Sequence, residues 1–398
     1  MLAPDRRQFL KAATAASAIS YGRILGANDR PQIGAIGTGG RCQYLLTLLN
    51  QIGGNDIVAI CDVYEPRRAE ARTKIAPAAK ECTDHREVLD RKDIDAVVIG
   101  TPDHWHVPIT TDAVRAGKDV YVEKPVTHTP AEGEPLIRAV RESQRVVQTG
   151  TQQRSWQHFK LAKEVVDSGT IGQVTYVRTY WYQNHVAGHK NPPAIDTSKL
   201  DWKRFLGSAP DQPFDADRFA NWRWYWDFGG GAMTDLFVHW VDVAHWFMGN
   251  DTPTQVSGLG TRAILTERQT PDTMNATLVY PASPSAYVVS FDSALLGYLE
   301  GGGLVFRGTK GMMRLHRGAF VVYPEVPRYN EAPEMKDAIV DARSTRDGTI
   351  DHMENFLDCM RSRKTPNSPV EIGVAAARAG HLANEAIRGA KTLSVKSS

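Results

Sequence analysis

Short apolar runs alternate with segments of helical periodicity in the part of the chain that follows Pro31. Apolar runs of this length, bounded by turn residues, are typical of strands buried on both faces. Their alternation with helical segments predicts a doubly wound parallel sheet, the α/β class. The predicted strands are Ile33–Ile36, Ile57–Cys61, Ala96–Ile99, Val120–Val122 and Val146–Val147.

After Gly150 the apolar pattern changes to longer runs of strand composition, beginning with Val174–Trp181. Such runs predict a second α+β domain with a large, mostly antiparallel open sheet. Two helical segments near the C-terminus belong to this domain in our prediction. We therefore divide the 398 residues into a leader (1–30), a first domain (31–150) and a second domain (151–398).

The first predicted strand runs into a glycine-rich turn, Gly37–Arg41, which a helical segment follows at once. This arrangement directs backbone N–H groups and a helix N-terminus at a pyrophosphate, so it predicts dinucleotide binding. Asp62 lies at the end of the second strand, about 20 residues downstream, where an acid hydrogen-bonds the adenosine ribose. The carboxylate favours NAD over NADP, but Arg67 and Arg68 lie close enough to leave NADP open.

Composition excludes several functional classes. The formal net charge is +2 and charged residues make up 23% of the chain, so we expect no nucleic-acid partner. The four cysteines have no metal or redox spacing. His185 and His189 are spaced like metal ligands, but no third ligand completes a site, and we predict no metal.

The first 30 residues resemble a twin-arginine export signal, with Arg6-Arg7 before the mildly apolar run Ala12–Ser20. The run is too short to span a bilayer, so we expect no stable membrane insertion. The alternative is a frayed cytosolic N-terminus. An export signal implies the twin-arginine machinery as a partner and a periplasmic or otherwise exported protein. Because that pathway carries folded proteins, it also favours a tightly bound cofactor.

Two loops at strand ends carry candidate chemistry. Thr101, Pro102 and His106 follow the third predicted strand, and Glu123-Lys124-Pro125 follows the fourth. Open α/β sheets bind ligands at these carboxyl ends, and the X-Pro bond forms a stiff turn that would aim Lys124 inward. An exposed loop lysine is the alternative interpretation.

Asp235 and His239 lie four residues apart, on one face if the segment is helical. A histidine is suited to act as base on a hydroxyl because its ordinary pKa is near neutrality. Asp235 would orient the imidazole or bind a sugar hydroxyl. A core histidine beside Trp240 is the alternative.

Together these motifs resemble the Gfo/Idh/MocA family, which is named after glucose–fructose oxidoreductase and inositol dehydrogenase. The resemblance continues through Phe205–Gly207, Trp222-Arg223 and Gly229–Gly231 to a match of the D-x-G-x-H motif at Asp235–His239, with Phe237 in place of the glycine. The family implies a Rossmann domain, an α/β domain whose open sheet supports homodimers or homotetramers, and an active site between the two domains.

The resemblance also implies a carbohydrate or cyclitol substrate and the following site. The expected catalytic residues are Lys124, Asp235 and His239. The residues expected to bind the cofactor are Gly37, Thr38, Gly39, Gly40, Arg41, Asp62, Thr101, Pro102, His106, Glu123, Lys124 and Pro125. Tyr182 and His185, which follow a strand end, join Lys124, Trp222, Arg223, Asp235 and His239 as expected substrate residues.

Three functions remain open. The first is an NAD(P)-dependent oxidoreductase of a secondary hydroxyl, with Lys124 and His239 as acid–base groups. The second is a redox-neutral NAD-dependent glycoside hydrolase, which oxidises C3, eliminates the aglycone, adds water and returns the hydride. The third is a non-catalytic sugar-binding protein. Export favours a redox-neutral cycle because no nicotinamide pool is recycled outside the cytoplasm, but oxidoreductase chemistry is our first prediction.

Overall fold

The computed structural model describes residues 30–185, 194–282, 285–326 and 338–395. The first domain is a six-stranded parallel sheet in the order β3-β2-β1-β4-β5-β6, which confirms the predicted doubly wound architecture. Its strands are β1 (Gln32–Ile36), β2 (Asp56–Cys61), β3 (Lys80–Cys82), β4 (Ala96–Ile99), β5 (Asp119–Val122) and β6 (Val147–Thr149).

Five α-helices connect these strands and cover the sheet: α1 (Gly40–Ile52), α2 (Glu65–Lys74), α3 (His85–Leu89), α4 (His106–Arg115) and α5 (Gly133–Ser143). Pro135 lies in the first turn of α5. A proline is tolerated there because the first backbone N–H groups of a helix have no intrahelical partner.

The second domain contains a nine-stranded sheet in the order β14-β13-β12-β11-β7-β10-β9-β8-β15. All neighbouring pairs are antiparallel except β7 and β10, which confirms the predicted mostly antiparallel sheet. The strands are β7 (Val174–Tyr182), β8 (Gln255–Thr261), β9 (Thr273–Tyr280), β10 (Tyr287–Ala294), β11 (Gly302–Gly308), β12 (Gly311–His316), β13 (Ala319–Pro324), β14 (Val340–Arg343) and β15 (Leu393–Ser394).

One face of this sheet packs against helices. The helices of this part of the chain are α6 (Gln157–Asp167), α7 (Trp202–Leu206), α8 (Ala216–Ala220) and α9 (Val238–Met248). Helix α9 is almost entirely buried, since Trp246 is its one partly exposed residue. A helix buried on all sides is held rigidly, and α9 is the element that carries His239.

The last two helices, α10 (Gly348–Ser362) and α11 (Val370–Gly389), join the domains. The division predicted from the sequence assigns both helices to the second domain (151–398). In the structure α10 buries Met353, Phe356 and Leu357 in the core that α1 and the first sheet form. Helix α11 packs against α9 and β8 and also against α5. Helix α11 therefore packs on both domains, which limits their relative motion.

Residues 1–29, which contain nearly all of the predicted export signal, lie outside the described residues, as does His189. Within the described ranges no helix combines the length and the apolar composition that crossing a bilayer requires.

Candidate active site

The glycine turn after β1 opens into a cleft of about 350 Å³ at the carboxyl ends of the parallel strands. Gly37 has φ 78°, and a Cβ there would come within 2.6 Å of Thr101. Helix α1 begins directly afterwards. A Cβ on Gly39 or Gly40 would point into open space, so nothing of the protein fills the volume beside these two residues. The N-terminus of α1 therefore faces an open cradle.

Asp62 braces this turn from the end of β2. Its Oδ2 accepts a hydrogen bond from the backbone N–H of Thr38 at 2.8 Å, and its Oδ1 accepts one from Tyr64 at 2.9 Å. Burial raises the pKa of the carboxyl. Asp62 also lines the cleft, where Arg67 and Arg204 line it too. The acid predicted to bind the ribose therefore lies at the cleft, with two basic side chains lining the same space.

The cleft offers polar groups that no other described residue satisfies. The hydroxyl of Thr101 and one terminal nitrogen of Arg41, both residues that line the cleft, are buried without a hydrogen-bond partner in the described chain, as is the hydroxyl of Thr38 in the glycine turn. Buried polar groups are normally hydrogen-bonded, and unpaired ones call for a ligand or water. Together with the open cradle at Gly39, these groups fit a bound dinucleotide.

Arg41 connects the glycine turn to the loop that carries Lys124. Its Nε donates to Glu123 Oε1 at 2.7 Å, and Glu123 is only 4% exposed. Burial alone would raise the pKa of the carboxyl, but Arg41 and Lys124 outweigh it and the pKa is lowered. The backbone N–H of Lys124 donates to the second oxygen of Glu123 at 3.2 Å, ahead of a cis Lys124–Pro125 bond. This buried pair fixes the turn from which Lys124 projects.

Lys124 reaches across to the second domain and contacts Asp235 twice. Its Nζ donates to Asp235 Oδ1 at 2.6 Å and to the backbone carbonyl of Asp235, also at 2.6 Å. Arg223 Nε donates to the same Oδ1 at 3.1 Å. Although burial opposes ionisation, the two cations lower the pKa of Asp235 well below its ordinary value. Asp235 lies in a π-helical turn, Met233–Phe237, a local widening that often occurs at functional sites.

His239 lies at the start of α9, beside this pair, and is 5% exposed. Its ring stacks on Trp181 with centroids 6.0 Å apart and planes at 25°. Burial, followed by the charge of Lys124, lowers the pKa of His239 well below 6.5, so the imidazole is neutral. Its Nδ1 has no hydrogen-bond partner among the described residues. Among the described residues Asp235 forms no hydrogen bond with the imidazole, so it does not orient the ring.

His106 links the two loops of the first domain. Its Nδ1 lies 2.7 Å from the carbonyl oxygen of Pro125 and its Nε2 lies 2.9 Å from that of Thr101. The ring is buried but borders the cavity that contains Lys124. His106 thus positions both strand-end loops, and Thr101 and Pro102 line the larger cleft beside it.

The cavity that contains Lys124, Asp235 and His239 adjoins the glycine-turn cleft and has a volume of about 240 Å³. Trp222 and Arg223 line both spaces. His185 lies in a neighbouring cavity that Arg223 and Asp235 also line.

Tyr182 is placed elsewhere: its hydroxyl donates to Asp292. Side chains alternate along a strand, so in β7 the preceding residue, Trp181, faces the cavity and Tyr182 faces the other side of the sheet. Phe237, the residue that departs from the family motif, is fully buried against Phe291 with ring centroids 4.9 Å apart. The departure therefore affects core packing and not the cavity wall.

The cavity is also lined by residues that sequence reasoning did not single out, among them Gln152, Trp181 and Arg317. Strand alternation would have found Trp181 once the inward face of β7 was known. Arg317 lies in the short turn between β12 and β13, and no sequence motif marks it. Within the described ranges, no three or more His, Cys, Asp or Glu side chains are grouped to hold a metal ion.

The comparisons with known proteins agree with this geometry. A model of the Gfo/Idh/MocA oxidoreductase family, described as an NAD-binding Rossmann fold, matches residues 32–151. A model of the GFO/IDH/MocA C-terminal domain matches residues 202–314. The two matches together cover more than half of the chain.

Two curated relatives are inositol dehydrogenases. Inositol 2-dehydrogenase of Salmonella typhimurium is 33% identical over 224 residues, which are 56% of this chain and 54% of that protein. Inositol 2-dehydrogenase 2 of Saccharopolyspora erythraea is 28% identical over 289 residues, 71% of this chain and 73% of that protein. The chain spans about half the length of the first of these relatives.

Solved structures share the fold at low identity. The WlbA dehydrogenase from Bordetella pertussis, in complex with NADH and UDP-GlcNAcA, has a TM-score of 0.70 at 19% identity, covering 93% of this chain and 100% of that one. The aldose-aldose oxidoreductase from Caulobacter crescentus, complexed with glycerol, has a TM-score of 0.70 at 18% identity, covering 92% and 100%.

A first prediction concerns Gly39. Gly39→Val places two methyl groups in the open cradle without meeting protein atoms, so the fold is retained while the pyrophosphate is kept from the backbone. We expect NAD affinity, measured by fluorescence titration, to fall at least about tenfold, or about 1.4 kcal/mol. Thr47→Val on the exposed side of α1 is the matched control. An unchanged affinity for Gly39→Val would place the dinucleotide elsewhere.

A second prediction concerns pH and rests on four buried histidines: His104, His106, His352 and His381. Burial lowers the pKa of each to about 4. In the unfolded chain these groups bind protons near the ordinary pKa of 6.5, so the unfolded state binds more protons as the pH falls. Stability is therefore full at neutral pH and is lost toward pH 5, by up to about 1.4 kcal/mol per pH unit for each histidine.

Urea denaturation at a series of pH values measures this slope. The raised pKa values of Asp62, Asp103 and Asp242 act in the opposite direction, but the four histidines outnumber them. His381→Gln should make the slope shallower by one proton. A free energy of unfolding that stays constant or increases between about pH 7 and 5 would contradict the burial of neutral imidazoles.

Proposed function

Because the chain belongs to the Gfo/Idh/MocA oxidoreductase family, we propose that it is an NAD(P)-dependent oxidoreductase that acts on a secondary hydroxyl of a sugar, cyclitol or glycoside. One observation carries the proposal. Lys124, Asp235 and His239 converge in a cavity that adjoins the cleft of the glycine turn. The curated relatives named inositol 2-dehydrogenase support a polyhydroxylated substrate.

The chain's own residues account for cofactor binding. The Gly37–Arg41 turn and the N-terminus of α1 would hold the pyrophosphate, and Asp62 would meet the ribose. NAD, when bound, supplies the acceptor for the hydrogen that an alcohol loses with its electron pair. Thr101 would border the nicotinamide end, because it lines both the cleft and the cavity of Lys124, and Pro102 follows it on the cleft side.

His239 has the properties of the base that accepts the proton of the substrate hydroxyl. It is neutral and it lines the cavity, so a substrate hydroxyl can give its proton to this ring. Lys124 lies beside it with its Nζ held by Asp235. The ammonium group donates a hydrogen bond to the substrate oxygen and stabilises the negative charge that develops there as the proton leaves.

Asp235 and the tryptophans position these groups. Asp235 holds the Lys124 side chain in the cavity through an ion pair, and a second ion pair holds Arg223 at the wall. Trp181 stacks on His239, which restricts the imidazole to one plane. Trp222 lies under the guanidinium of Arg223 at 4.2 Å and forms a flat apolar wall suited to a sugar ring.

Export, tight cofactor binding and self-association also belong to the proposal. The paired arginines before an apolar run support twin-arginine export and a periplasmic or otherwise exported location. A partly exposed polar face of the nine-stranded sheet, with Arg178 paired to Asp292, offers a surface for a homodimer or homotetramer. Mass measurement by light scattering separates these states.

A third prediction tests the catalytic assignment. Lys124→Met keeps most of the length of the side chain, which is shorter by one atom, but removes its charge and its donors. We expect kcat/KM for the responsive sugar or inositol to fall by about 10²- to 10⁴-fold, followed by the absorbance of NADH. Lys80→Met, at an exposed position in β3, is the control and should retain activity.

Full activity of the Lys124→Met variant would contradict the mechanism. The same assay separates the redox-neutral alternative: release of an aglycone from a glycoside with no net NADH would establish the glycoside hydrolase in place of the dehydrogenase.

A further inference from the structure

Arg317 projects from the turn between β12 and β13 into the cavity of Lys124, Asp235 and His239. The side chain lies beside two aromatic rings that pack against each other: its guanidinium carbon is 5.0 Å from the ring centre of Trp181 and 5.9 Å from that of Trp240. Arginine stacks on aromatic faces in this way and keeps its planar fork of donors free for a ligand. Because Trp181 also stacks on His239, Arg317 and the imidazole share one rigid support.

Arg317 differs from the other cations of the cavity in having no carboxylate partner among the described residues. Arg41 is paired with Glu123 at 2.7 Å, and Lys124 and Arg223 are both paired with Asp235. Arg317 forms no ion pair within the described ranges, and its Nε is buried without a hydrogen bond. Its pKa is lowered to about 10 by burial and by the charge of Arg41, so it remains charged at neutral pH.

The charges of the residues that line the cavity also favour an anionic ligand. Four cations, Arg41, Lys124, Arg223 and Arg317, face two carboxylates, Glu123 and Asp235, while His239 is neutral. An excess of two positive charges remains in a partly buried space. An uncompensated buried charge destabilises the folded protein, and a ligand anion removes this cost.

We propose that the cavity binds a sugar acid, whose carboxylate pairs with Arg317 while the hydroxyl to be oxidised lies beside Lys124 and His239. This inference rests on the proposed function and narrows its substrate class. A guanidinium matches a carboxylate with two parallel hydrogen bonds, which orients the ring as well as holding it. The volume of about 240 Å³ suits a single ring, such as a hexuronate.

A phosphate of the dinucleotide is the other anion that could meet Arg317. The position of the residue argues against it, because Arg317 lines the cavity of Lys124 and not the cleft of the glycine turn. The two sources give different results in a binding experiment with separate ligands.

The test compares matched pairs of ligands, D-glucuronate with D-glucose and D-galacturonate with D-galactose. Binding to the NAD-loaded protein is measured by calorimetry, and turnover is measured by NADH formation. We expect the wild-type protein to bind the uronate of at least one pair more tightly than its neutral partner. Arg317→Met should reduce this preference about 10- to 100-fold, the loss expected when a hydrogen-bonded charge is removed. Arg317→Lys, which keeps the charge but not the fork, should lose less.

Arg314→Met is the control, because Arg314 is an exposed arginine of β12 on the same hairpin and should keep the preference. Thermal denaturation of each variant checks the fold. If Arg317→Met does not fold, the preference of the wild-type protein for the uronate over the neutral sugar, and the effect of Arg317→Lys on that preference, still test whether Arg317 binds the carboxylate.

Two results would overturn the inference: equal binding of uronates and neutral sugars by the wild-type protein, or a loss of NAD affinity in Arg317→Met with no loss of uronate preference. The calorimetry also separates the two proposals. If uronates bind in a way that depends on Arg317 but no sugar gives NADH, the proposed carboxylate site is supported and the proposed oxidoreductase activity is contradicted.

Discussion

The ion pair between Lys124 and Asp235 is the contact on which the rest of the site depends. It joins the end of β5 in the first domain to the π-helical turn before α9 in the second. A buried pair is stable only if its geometry is good and its remaining hydrogen-bonding groups are satisfied. Here Lys124 Nζ has a second acceptor in the backbone carbonyl of Asp235, and Arg223 donates to the same carboxylate. The pair therefore places an ammonium group where cofactor cleft and substrate cavity meet.

The neighbouring interactions keep this geometry fixed. Arg41 and Glu123 hold the turn before Lys124, and His106 ties that turn to the loop after β4. On the other side α9 is buried and α11 packs across both domains. Charges that are oriented before the substrate arrives need no rearrangement during the reaction, which is how electrostatic stabilisation lowers a barrier.

Much of this arrangement was predictable from the sequence. Buried parallel strands leave continuous apolar runs, and the turn at Gly37 requires a residue that tolerates positive φ, so both signals are local. The contact between Lys124 and Asp235 spans 111 positions; the resemblance to a family placed both residues in one site, but their contact was not predicted.

The features that were not predicted depend on relations that the sequence does not display. Tyr182 was chosen over Trp181 because the inward face of β7 is set by its partners β10 and β11 and not by its own composition. Arg317 reaches the cavity because the fold brings the turn between β12 and β13 to the wall of the cavity that contains Lys124, and no local sequence signal marks that position. The packing of α10 on the first domain likewise depends on the path of the chain after β14.

The most direct test of the role of the Lys124–Asp235 pair is a double-mutant cycle, in which kcat/KM is measured for Lys124→Met, Asp235→Asn and the double variant. If Asp235 acts through Lys124, the loss in the double variant will be close to that of Lys124→Met alone, with a coupling energy above about 1 kcal/mol. If the two losses multiply, the residues act independently, and the interdomain pair is not the centre of the site.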